Sequence, residues 1–187
     1  MNTRRDQILK DLPGTTPLHV PRWPHTSLKS GELADHFQHM ARKVGSQCEK
    51  YRDVNELGSY INTTYPGLTR FSALNGITGH LTLEEVTGGQ AELVILEAKW
   101  GVAENGAVWL DDTVLPHRVL PFYTEHLIVA LSIQNLITDM NAAYKIVKID
   151  SSGFGIWVSG PSKTADIEQA LVVGAQGPKG FHIALLP

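Results

Sequence analysis

A three-layer α/β/α domain on a mostly parallel sheet is the fold this sequence predicts, and three observations point to it. The runs Leu93-Val94-Ile95-Leu96, Leu127 to Leu131 and Ile156-Trp157-Val158 are continuously apolar, the texture of strands buried on both faces. Between the last two, Ile133, Leu136, Ile137, Met140, Tyr144 and Val147 recur at helical spacing. Strand, long helix and strand in that order read as a βαβ crossover, the unit that builds parallel sheets.

The remaining elements follow in chain order. Residues 1–30 hold Pro13, Pro17, Pro21 and Pro24, each of which fixes φ and removes an amide donor, so this segment reads as an extended arm. Leu33, Phe37, Met40, Ala41 and Val44 form one apolar stripe and mark an amphipathic helix. Gln47 to Tyr51 alternates as a strand does, and Val54 to Tyr65 reads as a short helix stopped by Pro66-Gly67. Near the end, a short helix is expected from Ala165 to about Val173, followed by a strand from Phe181 to Leu186. No repeat, low-complexity tract or interior linker divides residues 31–187, which read as one domain.

Composition narrows the function. Of 187 residues, 42% are hydrophobic and 19% charged, as in an ordinary globular protein, and the formal charge of −3 argues against a sequence-independent grip on nucleic acid. Cys48 is the sole cysteine, which excludes an internal disulfide, a Cys-rich zinc site and an iron–sulfur cluster ligated wholly by this chain. A reducing, cytoplasmic location is expected. No secretory signal is visible at the start, and the apolar runs are too short to span a bilayer.

The segment Ser159-Gly160-Pro161-Ser162-Lys163-Thr164-Ala165-Asp166-Ile167-Glu168 is the most informative. It leaves a buried strand, turns through Gly-Pro and leads into the expected helix, with Ser162 or Thr164 as N-cap. Free amides at a helix start favour an anion, and Lys163 adds a full charge, so Ser159, Gly160, Ser162, Lys163, Thr164 and Asp166 form a candidate anion site. A well-capped helix without a ligand is the competing reading. The glycines of a P-loop or dinucleotide fingerprint are missing.

This string, with Gly174-Ala175-Gln176-Gly177-Pro178 and the closing Phe181 to Leu186, resembles the C-terminal signature of the LUD-domain family, the LutC/YkgG-type lactate utilization proteins. Gly101-Val102-Ala103-Glu104-Asn105-Gly106 resembles the same family's glycine-flanked Ala-Glu motif. The resemblance implies a fold related to the NagB/RpiA/CoA-transferase superfamily. It also implies membership of a three-protein system that oxidises L-lactate to pyruvate, in which two partner proteins carry the iron–sulfur clusters and this chain holds no cofactor. Gln176 stands where the family usually has His, and an amide does not titrate.

Glu104 is the candidate catalytic residue. Ala103-Glu104-Asn105-Gly106 is similar to the Ser-Glu-Asn-Gly around the nucleophilic glutamate of CoA transferases, and a carboxylate can attack an acyl thioester. Asn-Gly is also a common hairpin dipeptide, which would leave Glu104 simply exposed in a turn. Arg118 would clamp a substrate carboxylate with its two-pronged guanidinium, or else form an ordinary ion pair. His36 and His39, beside Asp35, share a helix face but lack a third ligand at fixed spacing, so no metal is expected. His117 and His126 are possible acid–base groups without an identifiable orienting partner. Three readings remain open: a non-redox subunit binding an anion or partner, a stand-alone transferase or isomerase using Glu104, and a scaffold. A homo-oligomer is compatible with each.

Overall fold

The computed structural model describes residues 30–89, 91–147, 153–165 and 171–187. The extended arm lies outside them, except that Ser30 already belongs to the first helix. That helix, α1 (Ser30–Lys43), buries Phe37 and Ala41 completely and leaves His36 and His39 exposed, as its stripe predicts. Glu32 in its first turn and Arg42 and Lys43 in its last both complement the helix dipole.

After β1 (Gln47–Lys50), Asp53 caps α2 (Val54–Thr64) by accepting the Glu56 amide at 2.9 Å. Leu57 and Ile61, one turn apart, then face the core together. Two short elements were not expected: β2 (Arg70–Ser72), too brief to show alternation, and α3 (Leu83–Thr87). The second had a legible signal, since Thr82 and Glu85 form a reciprocal capping box.

The main sheet takes β3 (Leu93–Glu97), β6 (His126–Ser132) and β11 (Gly180–Leu186) as its centre, in the order β1-β11-β6-β3-β2. All its strands run parallel. Leu93, Ile95, Ile128, Ala130 and Ala184 turn to α2, and each fully buried Leu or Ile here contributes about 2 kcal/mol. Val94, Leu96, Leu127, Val129, Leu131, Ile183 and Leu185 turn the other way, to α1 and a second sheet. Both faces are therefore covered, which is why the central strands are apolar throughout.

That second sheet corrects the crossover reading. It comprises β4 (Trp100–Val102), β5 (Ala107–Asp111), β7 (Leu136–Ile137) and β8 (Gly155–Val158) in the order β7-β4-β5-β8. β8 pairs antiparallel with β5 and does not join β6. The expected helix from Ile133 to Val147 is divided by two capping side chains. Ser132 accepts the Gln134 amide at 3.3 Å and starts a single 3-10 turn, Ile133–Asn135. Asp139 accepts the Ala142 amide at 2.8 Å and restarts the chain as α4 (Met140–Ile146). Between them Leu136 and Ile137 extend alongside Gly101 and Val102. The expected helix at Ala165–Val173 is also corrected. Its ends are β9 (Lys163–Ala165) and β10 (Leu171–Val173), paired antiparallel, and residues 166–170 lie outside the described residues.

Two buried polar side chains find their partners close by. The Asp111 carboxylate accepts from Trp109 Nε1 at 3.0 Å, from the Thr113 amide at 2.9 Å and from the Thr113 hydroxyl. Burial alone would raise its pKa, but these bonds and Lys99 outweigh it and hold the carboxyl below its ordinary value. Under α2, His182 Nδ1 lies 3.2 Å from Gln47 Oε1 and its Nε2 lies 3.1 Å from the Tyr51 hydroxyl. Gln47 Oε1 can only accept, so the proton sits on Nδ1 and Tyr51 donates to Nε2. Burial lowers the His182 pKa to about 4.

His182 makes stability depend on pH in a defined direction. As pH falls below about 6.5, the unfolded chain takes up a proton that the folded chain refuses until about pH 4. Stability therefore falls by about 1.4 kcal/mol per pH unit across that window, about 3 kcal/mol in all, from this group. Urea unfolding at pH 7 and pH 4.5 should show a smaller acid loss for His182→Gln than for the parent, and equal losses would refute the assignment. A second prediction concerns Gly106, whose φ is +66° and whose Cβ, if present, would overlap the backbone of Ala41. Gly106→Ala should cost about 3 kcal/mol in denaturant unfolding, from left-handed strain plus displacement of α1.

Candidate functional site

The two motifs singled out in the sequence meet at the C-terminal end of α1. The β4–β5 connection is a hairpin with Ala103-Glu104-Asn105-Gly106 as its loop, and Gly106 rests on Met40 and Ala41. The loop after β8 passes beside it, with Ser159 Oγ donating to the Asn105 carbonyl at 3.1 Å. Gly160, at φ +81°, crosses directly over the helix end, where an added Cβ would lie 2.6 Å from the Val44 carbonyl oxygen. Lys163 Nζ donates to that same oxygen at 2.9 Å. A cation on the last carbonyls of a helix is favourable, so Lys163 closes α1 together with Arg42 and Lys43.

Ser162 holds the other side of the loop. Its amide donates to the Pro178 carbonyl at 2.9 Å, its carbonyl accepts the Gly174 amide at 2.9 Å, and its hydroxyl accepts the Gln176 amide at 3.4 Å. The Gly174–Pro178 turn is thereby clasped to Ser159–Thr164, and the signature residues that are far apart in sequence become one wall. Thr164 is exposed, and Asp166 lies outside the described residues. Lys163 to Ala165 is extended, so neither Ser162 nor Thr164 caps a helix among the described residues. Any anion at this place would meet Lys163 and loop hydroxyls rather than a helix dipole.

Two clefts adjoin this wall. One of about 270 Å³ is lined by Ile156–Gly160, Ser162, Lys163, Thr164, Phe122 and Gln176–Pro178. The other, about 410 Å³, is bounded by Gly89, Ala91, Tyr123, Thr124 and Glu125 on one side and Gly174 to Gly177 on the other. Phe122, Gln176 and Gly177 line both. Among the described residues Lys163 is the sole charged one lining the smaller cleft, and in the larger one Glu125 is paired to Lys179 at 3.2 Å.

The other sequence candidates lie elsewhere. Glu104 is exposed, as the hairpin reading predicted, and its Oε2 accepts the Met140 amide at 2.9 Å, supplementing the cap of α4. It is not among the residues lining either cleft. Arg118 already grips a carboxylate: its Nε and Nη2 lie 3.0 and 2.6 Å from the two Asp112 oxygens, and its guanidinium stacks 5.4 Å from the Phe154 ring. These bonds raise its pKa further. It borders a separate cleft with His117, so it is not brought to Ser159–Thr164. His117 Nδ1 accepts the Val119 amide at 3.2 Å. His126 packs against Tyr65 with ring centroids 5.3 Å apart and planes tilted by 55°. Asp35 pairs with Lys50, and no cluster of metal-ligating side chains occurs among the described residues. Cys48 is fully buried, and burial pushes its thiol up to about 12, so it does not fit a cluster ligand. Sequence reading missed the opposite wall at Phe122 and Tyr123, both exposed aromatics with no local motif.

The comparisons agree with this architecture. The family model described as the LUD domain matches residues 86–186, the stretch holding both motifs and the clasped wall. The chain is also similar to the crystal structure of a DUF162 family protein from Deinococcus radiodurans, with a TM-score of 0.65 and 16% identity, covering 86% of this chain and 100% of that one. At that identity the likeness shows the α/β fold. No curated protein matches the chain. Since the family model spans more than half of its length, the chain belongs to the LUD-domain family, which is associated with lactate utilization.

Proposed function

We propose that this protein is a LutC-like, non-redox subunit of an iron–sulfur system that oxidises L-lactate to pyruvate. In this reading the cleft beside Ser159–Thr164 receives a small anion or an acidic group of a partner. The observation that carries it is the smaller cleft itself, which joins apolar side chains to hydroxyls and holds Lys163 as its single charge among the described residues. One ammonium in a largely uncharged cleft selects a carboxylate by Coulomb attraction while the walls exclude water. The electron carriers belong to the two iron–sulfur partner proteins, because one buried cysteine cannot ligate a cluster. The protein acts in the cytoplasm in this reading.

The alternative of a stand-alone transferase or isomerase places the chemistry on Glu104. The helix-capping bond from Met140, together with Glu104 not being among the residues that line the cleft, favours a structural role for that carboxylate.

Two substitutions separate these readings. Lys163→Ala combined with Thr164→Ala should weaken binding of L-lactate or pyruvate by about 1–3 kcal/mol in isothermal titration calorimetry. Unchanged binding would remove the anion site. Glu104→Gln keeps an acceptor for the Met140 amide, and lactate oxidation by the reconstituted set of proteins should stay within about twofold of the parent, as for most exposed substitutions. Loss of oxidation at unchanged melting temperature would instead make Glu104 the reacting group.

A further inference from the structure

We infer that the outer edge of β8 is a docking edge, where an extended segment of a partner protein adds to the second sheet beyond β8 and sets a carboxylate against Lys163. The inference rests on the cleft being this protein's binding place and specifies how a partner occupies it.

Three observations carry it. The first is how the molecule treats its sheet edges, since an open edge presents unpaired N–H and C=O groups and is usually blunted. β1 is guarded by Gln38 Nε2, which donates to the Cys48 carbonyl at 2.6 Å, and by the ion pair of Glu49 with Arg42. β2 is covered by its following loop, where the His80 and Leu81 amides donate to the Arg70 carbonyl at 2.7 and 3.1 Å. β7 is only two residues long. β8, Gly155-Ile156-Trp157-Val158, has neither charge nor proline, and among the described residues it pairs only with β5.

The second observation is the cleft's lining. Ile156, Trp157, Val158, Ser159 and Gly160 contribute consecutively. A strand seen face-on lines a cavity with alternate residues, whereas a strand seen edge-on lines it with every residue. The smaller cleft therefore runs along the edge of β8 that is unpaired among the described residues, and Gln176 to Pro178 also line it. The third is charge. With Lys163 the only charged group along this groove among the described residues, the complementary occupant is an uncharged extended backbone ending in, or flanked by, a carboxylate. Backbone pairing would supply affinity and the side-chain pockets specificity, as in other strand additions.

The test uses a library of random octapeptides with free C-termini, selected against the full chain, and one enriched peptide labelled for fluorescence anisotropy. N-methylation of alternate amides in one register should weaken binding about tenfold or more, while methylation in the other register leaves it nearly unchanged, because only alternate amides face the edge. Lys163→Ala should weaken the acid-bearing peptide about tenfold and its amide-capped or neutral counterpart far less, with Lys163→Arg restoring binding. Hydrogen exchange at Gly155–Val158 should slow in the complex. A peptide that ignores methylation in both registers but is lost with Lys163→Ala and Thr164→Ala would overturn strand addition and leave the cleft as a binding place. Absence of any enriched peptide would overturn both. A dimer in light scattering, with β8 amides protected only at high protein concentration, would assign the edge to a second copy and overturn the partner assignment.

Discussion

The C-terminal end of α1 is the place on which the rest of the site depends. Two backbones cross it without side chains in the way, at Gly106 and at Gly160, and a lysine from a third segment closes its last carbonyl. Helix ends leave carbonyls without intrahelical partners, which take donors from outside the helix. Lys163 meets that requirement from a position 119 residues downstream. The hairpin loop, the loop after β8 and the first helix are thereby held to one point, and the Ser159 bond to Asn105 completes the junction. The cleft wall is built outward from it.

This arrangement explains why the fold was largely legible and the site less so. Parallel strands covered on both faces announce themselves as unbroken apolar runs, and β3 and β6 were found that way, whereas the third such run, Ile156 to Val158, is the half-buried antiparallel edge strand β8. The stripe on α1 and the Pro-Gly stop after α2 were equally local signals. The misread elements all involve competition between periodicity and capping. Ile133 to Val147 satisfies helical spacing, yet Ser132 and Asp139 each redirect the backbone, and Leu136-Ile137 gains a strand partner in β4 that no local pattern reveals. The Ala165–Val173 reading failed similarly, since Lys163 to Ala165 gains its partner strand only through the returning Leu171–Val173.

For the site, residue identity was readable and role was not. Ser159, Gly160, Ser162 and Lys163 do gather at one place, but largely as a clasp between segments that are distant in sequence. Arg118 has the chemistry to bind a carboxylate and uses it on Asp112. Glu104 lies in the exposed turn that Asn-Gly implied, with a helix amide as its partner. In each case the functional side-chain type was visible, whereas the internal partner that engages it comes from tertiary structure. The Phe122 wall carried no sequence signal, because an aromatic in a loop reads as core until its exposure is seen.

The turn clasped by Ser162 has a consequence for how the two clefts behave together. Phe122, Gln176 and Gly177 face both, so they form a partition rather than two separate walls. A guest that shifts this partition in one compartment reshapes the other, and thermodynamic reciprocity then requires equal and mutual effects on the two affinities. The chain thus has two compartments that share one wall, with a glutamine at the boundary and a serine hydroxyl bonded to its amide.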